Sequence, residues 1–289
     1  MGFADGLVLV IDPDNAVVST THRSHKYGLS HFTFFDADPT GASAVAVPSF
    51  VPGKDQAIRL WDLAHNRFWK VFRTGENDAV RTLSTHSCMK TLLSTSVSGT
   101  TYLWDSREEK PVWTSETPDP NSVSTFSKQI NSPYFAMSHP SRKSVTVHDM
   151  RSIAAPVHEF SRLSCSIDEL LFYPDGSKLL LGSHHMGTVM TLDIPKHKEL
   201  SMIFFPPMKK DSKSNFNLSI SPCGKFCSIS TATNNVEIWD LQSRNKVSTL
   251  SGHGGNPTSV FSPIHTLLAT ASIPVGLWVP SQRSFLDDI

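Results

Sequence analysis

A short pattern returns along the whole chain: a few β-forming residues, then an aromatic or apolar residue, then aspartate. It reads LVLVID at 7–12, IRLWD at 58–62, TYLWD at 101–105, VTVHD at 145–149, VMTLD at 189–193 and VEIWD at 236–240. A last copy, GLWVP at 276–280, keeps Trp278 but has Val279 where the aspartate would stand. The terminal positions, 12, 62, 105, 149, 193, 240 and 279, are separated by steps of 50, 43, 44, 44, 47 and 39 residues. Chance does not produce such a series, and a recurrence of this length means that one supersecondary unit is being repeated.

Steps of about 40–45 residues are those of four-stranded WD-type β-propeller blades. The rest of each period fits. A short apolar strand and a turn precede the copies: TLLSTS then VSG (91–99), YFAMSH then PSRK (134–143), KLLLGS then HHMG (178–187), KFCSIS then TATNN (225–235). A further strand follows them: RFWKVF (67–72), KPVWTS (110–115), APVHEF (155–160), KELSMIFF (198–205), NKVSTL (245–250). YPDGSK (173–178) and SPCGKF (221–226) read as loops between the first two strands of their blades. Ser, Gly, Pro and Asn at these joints are turn residues for reasons of backbone geometry. No stretch sustains a 3.6-residue period, so the chain is predicted to be all-β, a seven-bladed propeller.

The repeated residues are then read as architecture. Trp61, Trp104 and Trp239 are expected to pack between neighbouring sheets, and Trp278 is the same residue in the last copy. Asp62, Asp105, Asp149, Asp193 and Asp240 are expected to hold the following turn by side-chain to backbone hydrogen bonds. The first copy ends at residue 12, leaving room for only the third and fourth strands of its blade. Blade one is therefore expected to be incomplete. Three accounts compete: a start at an internal methionine, an open ring, or strands supplied by a partner through β-augmentation. The first is favoured, because an open ring leaves apolar sheet faces wet. The propeller is expected to occupy residues 1–280 and a tail 281–289.

Bulk properties narrow the function classes. The 289 residues carry 26 Lys+Arg and 26 Asp+Glu, so no global charge draws the chain to nucleic acid or to a membrane surface. Four scattered cysteines, Cys88, Cys165, Cys223 and Cys227, make no disulfide framework and favour a reducing compartment. No apolar run approaches the ~18 residues of a membrane-spanning helix. MGFADGLVLVID lacks the basic start of a signal peptide, and Gly6 stands where a myristoylation signal wants Ser or Thr.

Chemical motifs are sparse. Cys223 and Cys227 lie in PCGKFC without a second pair, so a turn residue and a small buried hydrophobe are expected rather than a metal site. His184 and His185 lie in a turn between strands, and since adjacent side chains on an extended backbone point to opposite faces, one ion is not expected to bind both. No G-x-S-x-G elbow, phosphate loop or HExxH helix occurs. Glu108-Glu109 and Asp287-Asp288 read as solvated charge. Catalytic residues, metals and cofactors are all expected to be absent. A propeller enzyme would instead show clustered, pKa-shifted carboxylates in its central channel.

From about Ser24 to Pro280 the chain resembles the WD-repeat subunit shared by the COMPASS histone H3 lysine methyltransferase and the type 1 phosphatase complex of transcription termination. The resemblance is carried by HKYGLSHFTF (25–34), DQAIRLWDL (55–63), VTVHDMRSIAAPVHEF (145–160), YPDGSKLLLGS (173–183) and LLATASIPVGLWVP (267–280). It implies a nuclear, non-catalytic scaffold whose partners are methyltransferase subunits, type 1 phosphatase with its targeting subunit, and the phosphorylated tail of RNA polymerase II. Neither a membrane, a small-molecule substrate nor sequence-specific nucleic-acid binding is expected. Lys26 and Tyr27 of the KYG stretch, Arg151 of DMRS, and the basic loop residues Lys209, Lys210 and Lys213 are candidates for partner binding, the loop through acidic or phosphorylated groups. The competing reading is an adaptor outside the nucleus, such as a ubiquitin-ligase substrate receptor or a trafficking scaffold, since fold alone does not choose.

Overall fold

Short runs of β-branched and aromatic residues bounded by turn residues decide the local structure, and every described element is a strand. The computed structural model describes residues 7–12, 17–23, 29–38, 41–48, 57–62, 65, 67–74, 78–86, 88–205, 216–230, 233–255, 257–263, 265–272 and 275–280. Before Ala57 it describes the side chains of Val8, Thr21, His31, Thr33 and Phe34.

The strands fall into seven sheets in chain order. The first is the hairpin β1 (Leu7–Asp12) and β2 (Val17–Arg23). The second holds β3 (Leu29–Asp38), β4 (Gly41–Pro48), β5 (Ile58–Asp62) and β6 (Arg67–Phe72). The third holds β7 (Val80–Thr85), β8 (Thr91–Ser96), β9 (Thr101–Asp105) and β10 (Trp113–Thr114). The fourth holds β11 (Ser124–Phe126), β12 (Tyr134–His139), β13 (Ser144–Asp149) and β14 (His158–Phe160). The fifth holds β15 (Glu169–Phe172), β16 (Lys178–Ser183), β17 (Thr188–Asp193) and β18 (Lys198–Phe204). The sixth holds β19 (Leu218–Ile220), β20 (Phe226–Ser230), β21 (Val236–Asp240) and β22 (Lys246–Leu250). The last holds β23 (Thr258–Phe261), β24 (Leu268–Ala271) and β25 (Gly276–Trp278).

Within a sheet, neighbours in space are neighbours in sequence. Five four-stranded meanders of this kind are blades of a β-propeller. By packing the chain divides into two compact units, Met1–Leu170 and Leu171–Ile289, the break falling inside β15.

Within each unit the buried clusters lie between consecutive sheets, and period-two alternation distributes a strand's side chains to both sides. Leu92 and Trp104 pack with Ile58, Leu60 and Phe72 of the second sheet. Their sequence neighbours Leu93 and Leu103 point the other way, to Phe126, Phe135 and Met137 of the fourth. In the second unit Leu180, Val189 and Ile203 meet Leu218, Cys227 and Ile229 in the same manner. Each such side chain contributes about 1.5–3 kcal/mol by leaving water.

Two outer strands are shorter than their sequence suggests. KPVWTS forms only Trp113–Thr114, and APVHEF only His158–Phe160. Pro111 and Pro156 have no N–H to add to a ladder, so pairing starts beyond them.

Candidate functional site

Five aspartates end the third strands of their sheets, and each accepts a backbone N–H from the turn that follows. His65 donates to Asp62 Oδ1 at 3.1 Å, Arg107 to Asp105 Oδ1 at 2.9 Å and Arg151 to Asp149 Oδ1 at 2.9 Å. Lys196 donates to Asp193 Oδ1 at 2.9 Å, and Gln242 and Ser243 both donate to Asp240 Oδ1 at 2.8 Å. The second oxygen is used as well. Arg107 Nη2 reaches Asp105 Oδ2 at 2.6 Å and Arg151 Nη2 reaches Asp149 Oδ2 at 2.7 Å. These guanidinium bonds hold Asp105 and Asp149 below the usual carboxylate range; for Asp240 the Ser243 N–H does so first. A carboxylate stabilised in this way is a poor base and nucleophile, so its chemistry is the closing of a turn.

The aromatic residues before these aspartates differ in setting. Trp104 is buried and donates from Nε1 to Ser94 Oγ at 2.8 Å. Trp278 Nε1 donates to Thr270 Oγ1 at 2.9 Å, and His253 Nε2 meets the same hydroxyl at 3.0 Å. The Gly252-His253 pair thus belongs to a short polar chain with Trp278. Trp61 is buried and packs on Phe68, ring centroids 5.0 Å apart. Trp239 packs against the cluster between the fifth and sixth sheets as expected but is only partly buried, with Nε1 donating to Glu237 Oε2 at 3.0 Å. Cys227 pairs with Trp239 across the ladder, and Ile229 stands where a hydroxyl would have to be. The indole therefore turns to its own strand.

In the fourth sheet histidine takes the aromatic position. His148 Nε2 and His139 Nε2 both lie 3.0 Å from Thr146 Oγ1. One hydroxyl proton cannot serve two acceptors, so at least one of these imidazoles donates to the hydroxyl oxygen. All three residues are buried. Burial, then the neighbouring His139, pushes His148 down to about 4; burial, then Arg142, lowers His139. The sequence signal for this cluster was the substitution of His for Trp in VTVHD, which periodicity alone treats as another core position.

The other sequence candidates do not converge. Arg151 is bound to Asp149 through backbone and side chain. Lys26, Tyr27, Lys209, Lys210, Lys213 and the Asp287-Asp288 pair lie outside the described residues. Glu108 and Glu109 are exposed in the turn after β9. Cys223 is exposed while Cys227 is fully buried, where burial pushes its thiol up to about 12. Residues 184–187 form the turn expected from sequence, but within it the His184 and His185 rings lie together, centroids 3.7 Å apart, rather than pointing to opposite faces. Sequence reasoning also passed over Glu169, at the start of β15. Burial pushes its carboxyl up to about 8, opposed by Arg81 and reinforced by Asp168. Arg81 in turn donates to Asn121 Oδ1 at 2.7 Å.

No helix among the described residues is long and apolar enough to cross a membrane. No family model matches the chain. Among curated proteins the chain is similar to WD repeat-containing protein 82 of Drosophila melanogaster, 26% identical over 296 residues that span 98% of this chain and 86% of that protein. The resemblance to a WD-repeat protein carried by the motifs around Trp61, Asp149 and Trp278 therefore extends along nearly the whole chain.

Proposed function

We propose that this chain is a non-catalytic WD-repeat scaffold subunit of a nuclear chromatin or transcription complex, one built around a histone methyltransferase, a type 1 phosphatase of transcription termination, or both. The observation that carries the reading is the likeness to WD repeat-containing protein 82 across 98% of the chain. It is supported by the repeated aspartates, each of which has an oxygen engaged by the turn that follows it. In this reading all seven sheets are blades of one propeller over residues 1–280, with 281–289 as a tail. The chain supplies positioning, and the chemistry belongs to its partners. Arg151, Lys26, Tyr27 and the loop lysines Lys209, Lys210 and Lys213 then belong to partner-binding surfaces.

Affinity purification of the tagged chain from nuclear extract, followed by mass spectrometry, tests the proposal. Methyltransferase subunits or type 1 phosphatase with its targeting subunit are expected. Cullins or vesicle-coat proteins in their place, with the tagged chain outside the nucleus by microscopy, would overturn it.

A further inference from the structure

We propose that the outer edge of β6 binds an extended acidic peptide segment of a partner protein by strand addition. β6 is the last strand of its sheet, hydrogen-bonded to β5 on one side only. Edge strands are usually made short or polar, because a free edge recruits other chains. The sequence RFWKVF runs six residues and carries Phe68, Trp69 and Val71 at 43%, 40% and 40% exposure. Phe68 pairs with Trp61 and Val71 with Arg59, so these two share one face of the strand, and Trp69 is the extra residue of a bulge between them. Exposed apolar groups along an edge are what the side chains of an added strand would cover. Among the outer strands whose side chains are described, β10 has two residues and β14 and β25 three, β22 exposes a single large hydrophobic residue, Val247, and β18, which exposes Leu200 and Phe204, is not flanked by arginines.

Charge identifies the occupant. In a chain of equal positive and negative count, residues 57–74 hold Arg59, Arg67, Lys70 and Arg73 against Asp62 alone. Asp62 is already engaged by His65 and lies 3.6 Å from Arg67. Among the described residues neither Lys70 nor Arg73 has a carboxylate within ion-pair distance; Lys70 Nζ donates to the Ser106 carbonyl at 2.7 Å. Arg67 and Arg73 bracket the strand, so an acidic, alternately apolar segment gains at both ends. A second copy of β6 would set like charges opposite one another and is disfavoured. The inference goes beyond the nuclear assignment and does not depend on which complex the chain joins.

The test uses the full chain as bait for a displayed library of random 12-residue peptides, counter-selected against R67E/R73E. Circular dichroism melting confirms that this exposed variant is folded. Selected peptides should be acidic with apolar residues at alternate positions. A synthetic copy should bind the variant at least about tenfold more weakly and lose affinity as salt rises. N-methylation of alternate backbone amides in the same peptide should abolish binding, and W69S/V71T should weaken it with the charges intact. Enrichment of basic or uncharged peptides would overturn the proposal. So would failure to enrich any peptide over the counter-selected variant, or binding indifferent to backbone methylation.

Discussion

Trp104 sits opposite Leu92 in the β8–β9 ladder, and its indole nitrogen donates to the hydroxyl two residues further along, Ser94, at 2.8 Å. Trp278 repeats the offset. It faces Leu268 and donates to Thr270, again two residues on. One strand-crossing hydrogen bond is therefore written into two sheets as an aromatic on the third strand and a hydroxyl on the second. Ser94 is fully buried. Ser94→Ala should leave the indole N–H without its partner and cost about 1–3 kcal/mol in urea unfolding, whereas Ser94→Thr keeps an oxygen in place and should cost less. Equal losses in the two variants would show that volume, not the hydrogen bond, matters at this site.

A backbone constraint separates two glycines that look alike in sequence. Gly99 has φ +92° and Gly252 has φ +97°, both in the left-handed region. A Cβ on Gly99 would overlap the backbone of Asp119, while nothing lies within 4 Å of the corresponding position on Gly252. Gly252→Ala should cost only the conformational strain, roughly 1–2 kcal/mol. Gly99→Ala adds a collision with main chain that cannot rotate away, and is expected to cost more than about 4 kcal/mol or to prevent folding. Thermal melting of both variants decides, with comparable shifts arguing against the close approach of Asp119.

How much of this was legible in the sequence depends on how local each cause is. The aspartates could be read because Asp105 and Asp149 each bond to a turn only two residues away, so one short segment contains both ends of the interaction. The strands of KPVWTS and APVHEF were overextended because a proline's missing donor matters only once a ladder partner is placed beside it. Trp239 shows the limit more plainly. Its W-D context equals that of Trp104, but the hydrogen-bond partner of its indole depends on Ile229 standing in place of a hydroxyl on another strand. The His139–Thr146–His148 cluster and the exposed face of β6 are likewise products of pairing across strands. The residues are close in sequence, but their pairing is not written in any one strand.

The cysteines of PCGKFC should behave as two unrelated thiols. Cys88 and Cys223 are exposed, whereas Cys165 and Cys227 are buried. A disulfide reagent acts on the accessible thiolate, which burial suppresses at Cys227. Two thiols per chain should react quickly in the native protein with Ellman's reagent, and all four in urea. Rapid reaction of Cys227 would show that β20 opens far more readily than its packing implies.

The last prediction concerns His148. Its pKa is lowered from 6.5 to about 4 in the folded chain, first by burial and then by His139. The groups acting on the neighbouring His139 are Arg142, which lowers it, and Asp119 and Glu159, which raise it. A histidine that resists protonation when folded accepts a proton more readily when unfolded. Between about pH 6.5 and 4 the unfolded state therefore binds more protons, and stability falls as pH falls across that window. The folded pKa sets the lower end, and the full loss from this residue is on the order of 3 kcal/mol. The depressed carboxyls Asp105, Asp149 and Asp240 act below it, their stabilisation being lost only as pH drops under about 4. Four other copies place tryptophan at this position, so an aromatic ring without a titratable nitrogen is sterically reasonable. In His148→Phe the slope of unfolding free energy between pH 6.5 and 4 should flatten, while the decline below pH 4 persists. An unchanged slope in the variant would show that His148 is protonated as easily in the folded chain as in the unfolded one.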